Sequence, residues 1–152
     1  MKNLANKIMI RITKSFKFEM AHALHGYDGL CKNIHGHSYR LWVTIRGELK
    51  HKKGHKKDGM VMDFDDIKKI IIPEIIDRYD HSLVLNANSP HAEIDLSAFE
   101  KVFYLPFQPT SENLVNDFAK RIKSNLPKNV ELLKVVLSET ATSFAEWNLQ
   151  DN

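Results

Sequence analysis

Hydrophobic and polar positions alternate with a period of two in the N-terminal third of the chain. In "FKFEMAH" (residues 16–22), Phe16, Phe18, Met20 and His22 share one face of an extended segment, and Lys17, Glu19 and Ala21 take the other. After a His-Gly-His at 35–37, Tyr39, Leu41, Val43 and Ile45 alternate with Ser38, Arg40, Trp42, Thr44 and Arg46. Both patterns predict half-buried strands. The period then lengthens. Asp63 is placed to cap a helix with Asp65 and Asp66 in its first turn, and Ile67, Ile70, Ile71 and Ile75 supply its apolar face. Pro73 predicts a kink or break there, because an interior proline costs about 3 kcal/mol.

A second helix follows in "PTSENLVNDFAKRIKSNLP", with Thr110 as N-cap, Glu112 in the first turn, and Leu114, Phe118, Ile122 and Leu126 at four-residue spacing before Pro127 stops it. "ELLKVVLSET" predicts a strand with Leu133, Val135, Leu137 and Glu139 on one face, and "TSFAEWNL" a strand returning beside it. The order strand, strand, helix, helix, strand, strand predicts an α+β domain. Residues 86–109 are long for a loop in a compact domain, and their apolar residues (Ile94, Leu96, Phe99, Val102, Phe103, Tyr104, Leu105) predict that part of the segment packs.

Composition changes this picture little. The 152 residues, 43% hydrophobic and 27% charged, suit one domain, 1–152, with a core that needs no staples. A single cysteine excludes an internal disulfide and fits a reducing cytoplasm. No apolar run suits a signal peptide or a bilayer span, so a cytoplasmic protein without a membrane partner is expected. A net charge of +3 is too mild to imply nucleic-acid binding. Its local excess, "KHKKGHKK" at 50–57, reads as a solvated hairpin tip, the alternative being a mouth that attracts a polyanion.

The candidate chemistry lies at the ends of the predicted elements. His35 and His37 would diverge by about 200° on a helix but point to one face on a strand. His22 ends the apolar stripe of the preceding strand, and antiparallel pairing would bring it to the same spot. Three imidazoles with one open position suit a catalytic zinc ion. Cys31 can close such a site as fourth ligand, or remain free as a nucleophile or base; spacing leaves both open. Asp80 beside His81 offers a carboxylate-oriented imidazole, or simply a histidine at a helix C-terminus. Glu139 continues the apolar parity of its strand, so its carboxylate must be paired, exposed at the strand end, or reserved for a ligand.

These residues lie in motifs that together resemble the 6-pyruvoyltetrahydropterin synthase / 6-carboxytetrahydropterin synthase family: "FEMAHAL", "CKNIHGHSYRLWVTIRGEL", "GMVMDFDDIK", "DHSLVLN", "PTSENL" and "VVLSET", in the family's order. The short Cys-x₃-His-Gly-His spacing is similar to the bacterial queuosine-pathway branch. The resemblance implies a tunnelling fold, a four-stranded antiparallel sheet with two helices on one face in the order ββααββ, assembled as a dimer of trimers with interfacial active sites. It implies His22, His35 and His37 as ligands of Zn²⁺, Cys31 as catalytic base, Asp80 and His81 as an acid–base relay, Glu139 as the pterin anchor, and Thr110 and Glu112 as further substrate contacts. The implied reaction converts 7,8-dihydroneopterin triphosphate to 6-carboxytetrahydropterin, releasing acetaldehyde and triphosphate. The alternatives are the 6-pyruvoyl activity on the same substrate and a non-enzymatic zinc module closed by Cys31. The 86–109 segment is longer than the link in compact bacterial members, which bears on the rim of the site and the trimer contacts.

Overall fold

The computed structural model describes residues 7–152. Its first two strands, β1 (Met9–His22) and β2 (His35–Glu48), pair antiparallel along their whole length, with Phe18 opposite Tyr39 and His22 opposite His35. A helix, α1 (Phe64–Ile71), begins at Asp63, whose carboxylate accepts from the Asp65 N–H at 2.9 Å, as expected of an N-cap. Pro73 does not break it. The backbone passes through a π turn (Ile72–Ile76), in which the Asp77 N–H reaches back to the Ile72 carbonyl, and on into α2 (Asp77–Tyr79). A wider turn accommodates a residue that lacks an N–H. Ile67, Ile71, Ile75 and Tyr79 are all buried, so one stripe continues across the π turn.

The expected four-stranded antiparallel sheet in the order ββααββ requires correction. Six strands form one mixed sheet in the spatial order β4-β3-β1-β2-β5-β6. β3 (Ser82–Asn86) runs parallel to the end of β1, β4 (Val102–Leu105) runs parallel to β3, and both precede the long helix α3 (Ser111–Asn125). The segment 86–109 therefore contains the crossover between two parallel strands, residues 87–101, a connection that needs a dozen or more residues. It includes a 3₁₀ turn (Pro90–Glu93) and the edge strand β4, whose Leu105 is buried and whose Phe103 packs against the core. Strands of five and four residues carry only a weak period, and no preceding strand predicts an antiparallel return beside it here.

After α3, capped by Thr110 as expected, β5 (Val130–Ser138) and β6 (Phe144–Asn148) complete the antiparallel part of the sheet. One face differs from expectation. A bulge opposite Thr44 and Ile45 skips Leu133, so Leu132 rather than Leu133 enters the core with Val135 and Leu137. The helical stripes pack on a single face of the sheet, over Phe18, Met20, Tyr39, Leu41, Val43 and Ile45. Among the described residues, no helix is long and apolar enough to cross a membrane.

Candidate metal centre

The core-facing stripes of β1 and β2 continue past Met20 and Tyr39 to His22 and to His37 and His35. Direct pairing of His22 with His35 makes the three rings neighbours. One ring nitrogen from each, all within 4.8 Å of one another, forms a group fit to hold a metal ion.

Two hydrogen bonds aim the rings. Nδ1 of His22 is 2.7 Å from the Pro109 carbonyl, and Nδ1 of His35 is 2.7 Å from the Asn33 carbonyl. A carbonyl only accepts, so each Nδ1 carries the proton and each neutral ring turns the Nε2 lone pair toward its neighbours. His22 Nε2 lies 3.1 Å from His35 Nε2, and His37 Nε2 is buried without a hydrogen-bond partner. The Glu139 carboxylate closes in from the end of β5, 3.4 Å from His22 Nε2 and 3.7 Å from His37 Nε2, while accepting a 3.2 Å hydrogen bond from the Tyr39 hydroxyl.

Several electron-rich atoms thus converge on one point, where a cation is the natural complement. Tetrahedral zinc with bonds of about 2.0–2.1 Å needs ligand nitrogens about 3.3 Å apart, a spacing this cluster approaches. Burial pushes the His22 and His37 imidazoles below the ordinary histidine value, despite the opposing pull of Glu139, and so favours the neutral, ligating form. Tyr39 is raised, by burial first and then by the charge and hydrogen bond of Glu139, and keeps its proton for that carboxylate. His22 is only 1% exposed whereas His35 and His37 are half-buried, so the cluster opens on the β2 side.

The remaining predicted residues fall into two groups. Cys31 sits half-buried in a 3₁₀ turn (Leu30–Lys32), held by the Leu24 N–H donating to its carbonyl at 2.9 Å, and its sulfur is not part of the metal-ligating group. Thr110 follows the proline that accepts from His22, and its hydroxyl oxygen caps α3 by accepting from the Asn113 N–H. Glu112 stands exposed on the first turn of α3.

Asp80 and His81 form their own unit at the turn from α2 into β3. Their side chains meet at 3.0 Å, the second carboxylate oxygen accepts from the Glu19 N–H at 2.8 Å, and the His81 N–H donates to the Glu19 carbonyl at 2.6 Å. His81 adopts φ +59°, the left-handed region, unique among the described non-glycine residues. Burial pushes the Asp80 carboxyl up, but the Glu19 N–H, His81 and Lys101 together outweigh it and hold it below the usual range. His81 and His37 line the same cleft, about 950 Å³ in volume, along with Ile34, Leu96 and Phe99.

Sequence reasoning did not single out Tyr39, the Pro109 and Asn33 carbonyls, or the grip of Glu19 on Asp80 and His81. Tyr39 was accessible in principle, since it continues the parity of His35 and His37 by two residues. Backbone carbonyls carry no sequence signal.

The basic run at 50–57 lies in the exposed connection from β2 to α1, where Lys57 pairs with Asp66. Thirteen residues of β2 separate its start from His35, roughly 40 Å at strand rise, so within one protomer it does not flank the histidines.

The sequence model of the 6-pyruvoyl tetrahydropterin synthase family matches residues 11–150. The 6-carboxy-5,6,7,8-tetrahydropterin synthase of Haemophilus influenzae is 37% identical over 143 residues, spanning 91% of this chain and 99% of that protein. The protein of the same name from Aquifex aeolicus is 32% identical, spanning 90% and 96%. Among solved structures, the 6-pyruvoyl tetrahydropterin synthase of Caenorhabditis elegans superposes with a TM-score of 0.66 at 25% identity, over 93% of this chain and 96% of that one. A Wolinella succinogenes protein superposes with a TM-score of 0.75 at 21% identity, over 93% and 99%, a likeness of fold alone. The chain therefore belongs to the 6-pyruvoyl tetrahydropterin synthase family of enzymes.

Proposed function

We propose that this protein is a zinc-dependent 6-carboxytetrahydropterin synthase, converting 7,8-dihydroneopterin triphosphate to 6-carboxytetrahydropterin with release of acetaldehyde and triphosphate, a step toward queuosine. The observation that carries the metal-dependent reading is the convergence of His22, His35 and His37 in one group fit to hold a cation, with the Glu139 carboxylate beside them. The carboxy product is favoured by the names of the relatives that share 30–37% identity over most of the chain.

In this reading His22, His35 and His37 hold the ion. When bound, zinc supplies Lewis acidity that makes a C–H on the side chain of the substrate acidic enough to ionise. Cys31, outside the ligand set, takes that proton as thiolate, which a closed structural site would not allow. His81, oriented by Asp80, returns a proton elsewhere on the substrate as triphosphate leaves. Glu139, steadied by the Tyr39 hydroxyl, accepts the paired N–H groups of the pterin ring. Thr110 and Glu112, at the N-terminus of α3, border the ring.

The assembly is a homo-hexamer of two trimers in the cytoplasm, with sites between subunits. It answers the long outer edge of β1, where β3 covers only Met20–His22, and the outer edge of β6, for which no strand partner lies among the described residues.

Mass spectrometry after incubating zinc-loaded protein with 7,8-dihydroneopterin triphosphate tests the reaction. Acetaldehyde with 6-carboxytetrahydropterin is expected. A 6-pyruvoyl product would replace the carboxy assignment, and intact substrate would refute the activity.

A further inference from the structure

The peptide between Asp80 and His81 is clamped at both poles. On one side the His81 N–H donates to the Glu19 carbonyl at 2.6 Å. On the other, the Asp80 carbonyl accepts from Lys101 Nζ at 2.6 Å. The same ammonium group donates to the Asp77 carbonyl, also at 2.6 Å, capping an orphan acceptor at the end of α2. Lys101 is itself tied down, because its carbonyl accepts from the Leu83 N–H at 2.9 Å as β4 begins. One side chain from the β3–β4 crossover therefore grips the α2 terminus, and its backbone grips β3, on either side of the turn that carries Asp80 and His81.

We propose that Lys101 is a positioning residue for His81. Rotation of a peptide plane swings its carbonyl and N–H together, and a plane held at both poles cannot turn. That plane sets the bond about which His81 adopts φ +59°, a conformation uncommon for any residue but glycine, although histidine is among the side chains that tolerate it best. With the plane fixed, the imidazole projects from a constant origin into the cleft it shares with His37, Leu96 and Phe99. Glu19 holds the Asp80 carboxylate and the His81 N–H from β1, and Lys101 holds the opposite pole from the crossover. Both ammonium contacts go to backbone carbonyls, so the role differs from that of a lysine reserved for substrate phosphate.

The inference rests on the catalytic reading of His81, so its test carries a readout independent of turnover. Zinc-loaded Lys101→Met and Lys101→Arg are compared with wild type and His81→Ala on 7,8-dihydroneopterin triphosphate, and exchange of the His81 amide is followed by NMR. Lys101→Met is expected to lower kcat about 10- to 100-fold with KM within about twofold. It should also speed His81 amide exchange at least about tenfold, with Lys101→Arg recovering much of both losses. Unchanged kcat in Lys101→Met where His81→Ala is inactive would overturn the proposal. So would a rise in KM alone, which marks a substrate contact. If wild type fails to turn over this substrate, or His81→Ala retains full turnover, the functional reading falls. Amide exchange then decides for Lys101, faster exchange supporting the clamp and unchanged exchange refuting it. If Lys101→Met does not fold, Lys101→Gln is read in the same way, and failure of both to fold makes the residue structural and overturns the proposal.

Discussion

At the scale of single residues, the centre depends on which nitrogen carries each proton. The Pro109 and Asn33 carbonyls fix Nδ1–H on His22 and His35, leaving two lone pairs 3.1 Å apart. His37→Ala removes a ligand and should abolish stoichiometric zinc, read by atomic absorption after dialysis. Cys31→Ala should keep the zinc and lose about 10²–10⁴-fold in kcat, whereas loss of metal and stability together would place the sulfur on the ion. Tyr39→Phe withdraws a hydrogen bond to a carboxylate, worth about 1.5–3 kcal/mol, and should cost roughly 10- to 100-fold in kcat/KM with metal content unchanged. Acid acts in a defined direction. Burial lowers the folded-state values of His22 and His37 from 6.5, so the unfolded chain binds more protons once the pH drops below that value. The stability drawn from keeping these rings neutral is complete above about pH 6.5 and is lost as pH falls toward the lower folded values. Melting temperatures of chelator-treated protein from pH 8 to pH 5 should fall accordingly.

At the scale of elements, the long periodic segments and the returning strand β6 were legible, and the short parallel strands were not. The caps at Asp63 and Thr110, the stripe Leu114–Phe118–Ile122 and the meeting of the His22 end of β1 with the His35 end of β2 follow from spacing and residue type, whereas the extension of that pairing back to Met9 and Glu48 does not. β3 and β4 escaped because such short segments carry a weak period and, unlike the equally short β6, follow no strand that predicts an antiparallel return beside it; their parallel partners lie far along the sequence. The bulge at Leu133 escaped for another reason. It resolves a competition between two adjacent leucines that only the β2 register decides. Phe118, buried against Phe18 and Tyr79, joins α3 to the sheet and to the end of α2. Phe118→Ala should cost about 3–5 kcal/mol, on the order of 10 °C in melting temperature, read by calorimetry.

At the scale of the whole molecule, one face of the sheet is covered by helices, and the outer edge of β1 has a partner only at Met20–His22 among the described residues. Sedimentation equilibrium should return a hexamer, and a monomer active at the same concentration would refute interfacial sites. What the amino-acid sequence determined by itself is the local grammar, namely helix caps, strand parity and the placement of His22, His35 and His37 at the ends of two apolar stripes. Alternation is built into the geometry of an extended backbone, so two histidines two residues apart on an unbulged strand share a face. The tertiary structure alone decided which backbone carbonyls orient those rings, that Glu139 and Tyr39 complete the cluster, and that Lys101 and Glu19 clamp the turn bearing Asp80 and His81. Tyr39 and Glu139 lie 100 positions apart, and His22 reaches a backbone carbonyl 87 positions away, a group that every residue possesses. Only packing selects among partners that are chemically identical along the backbone.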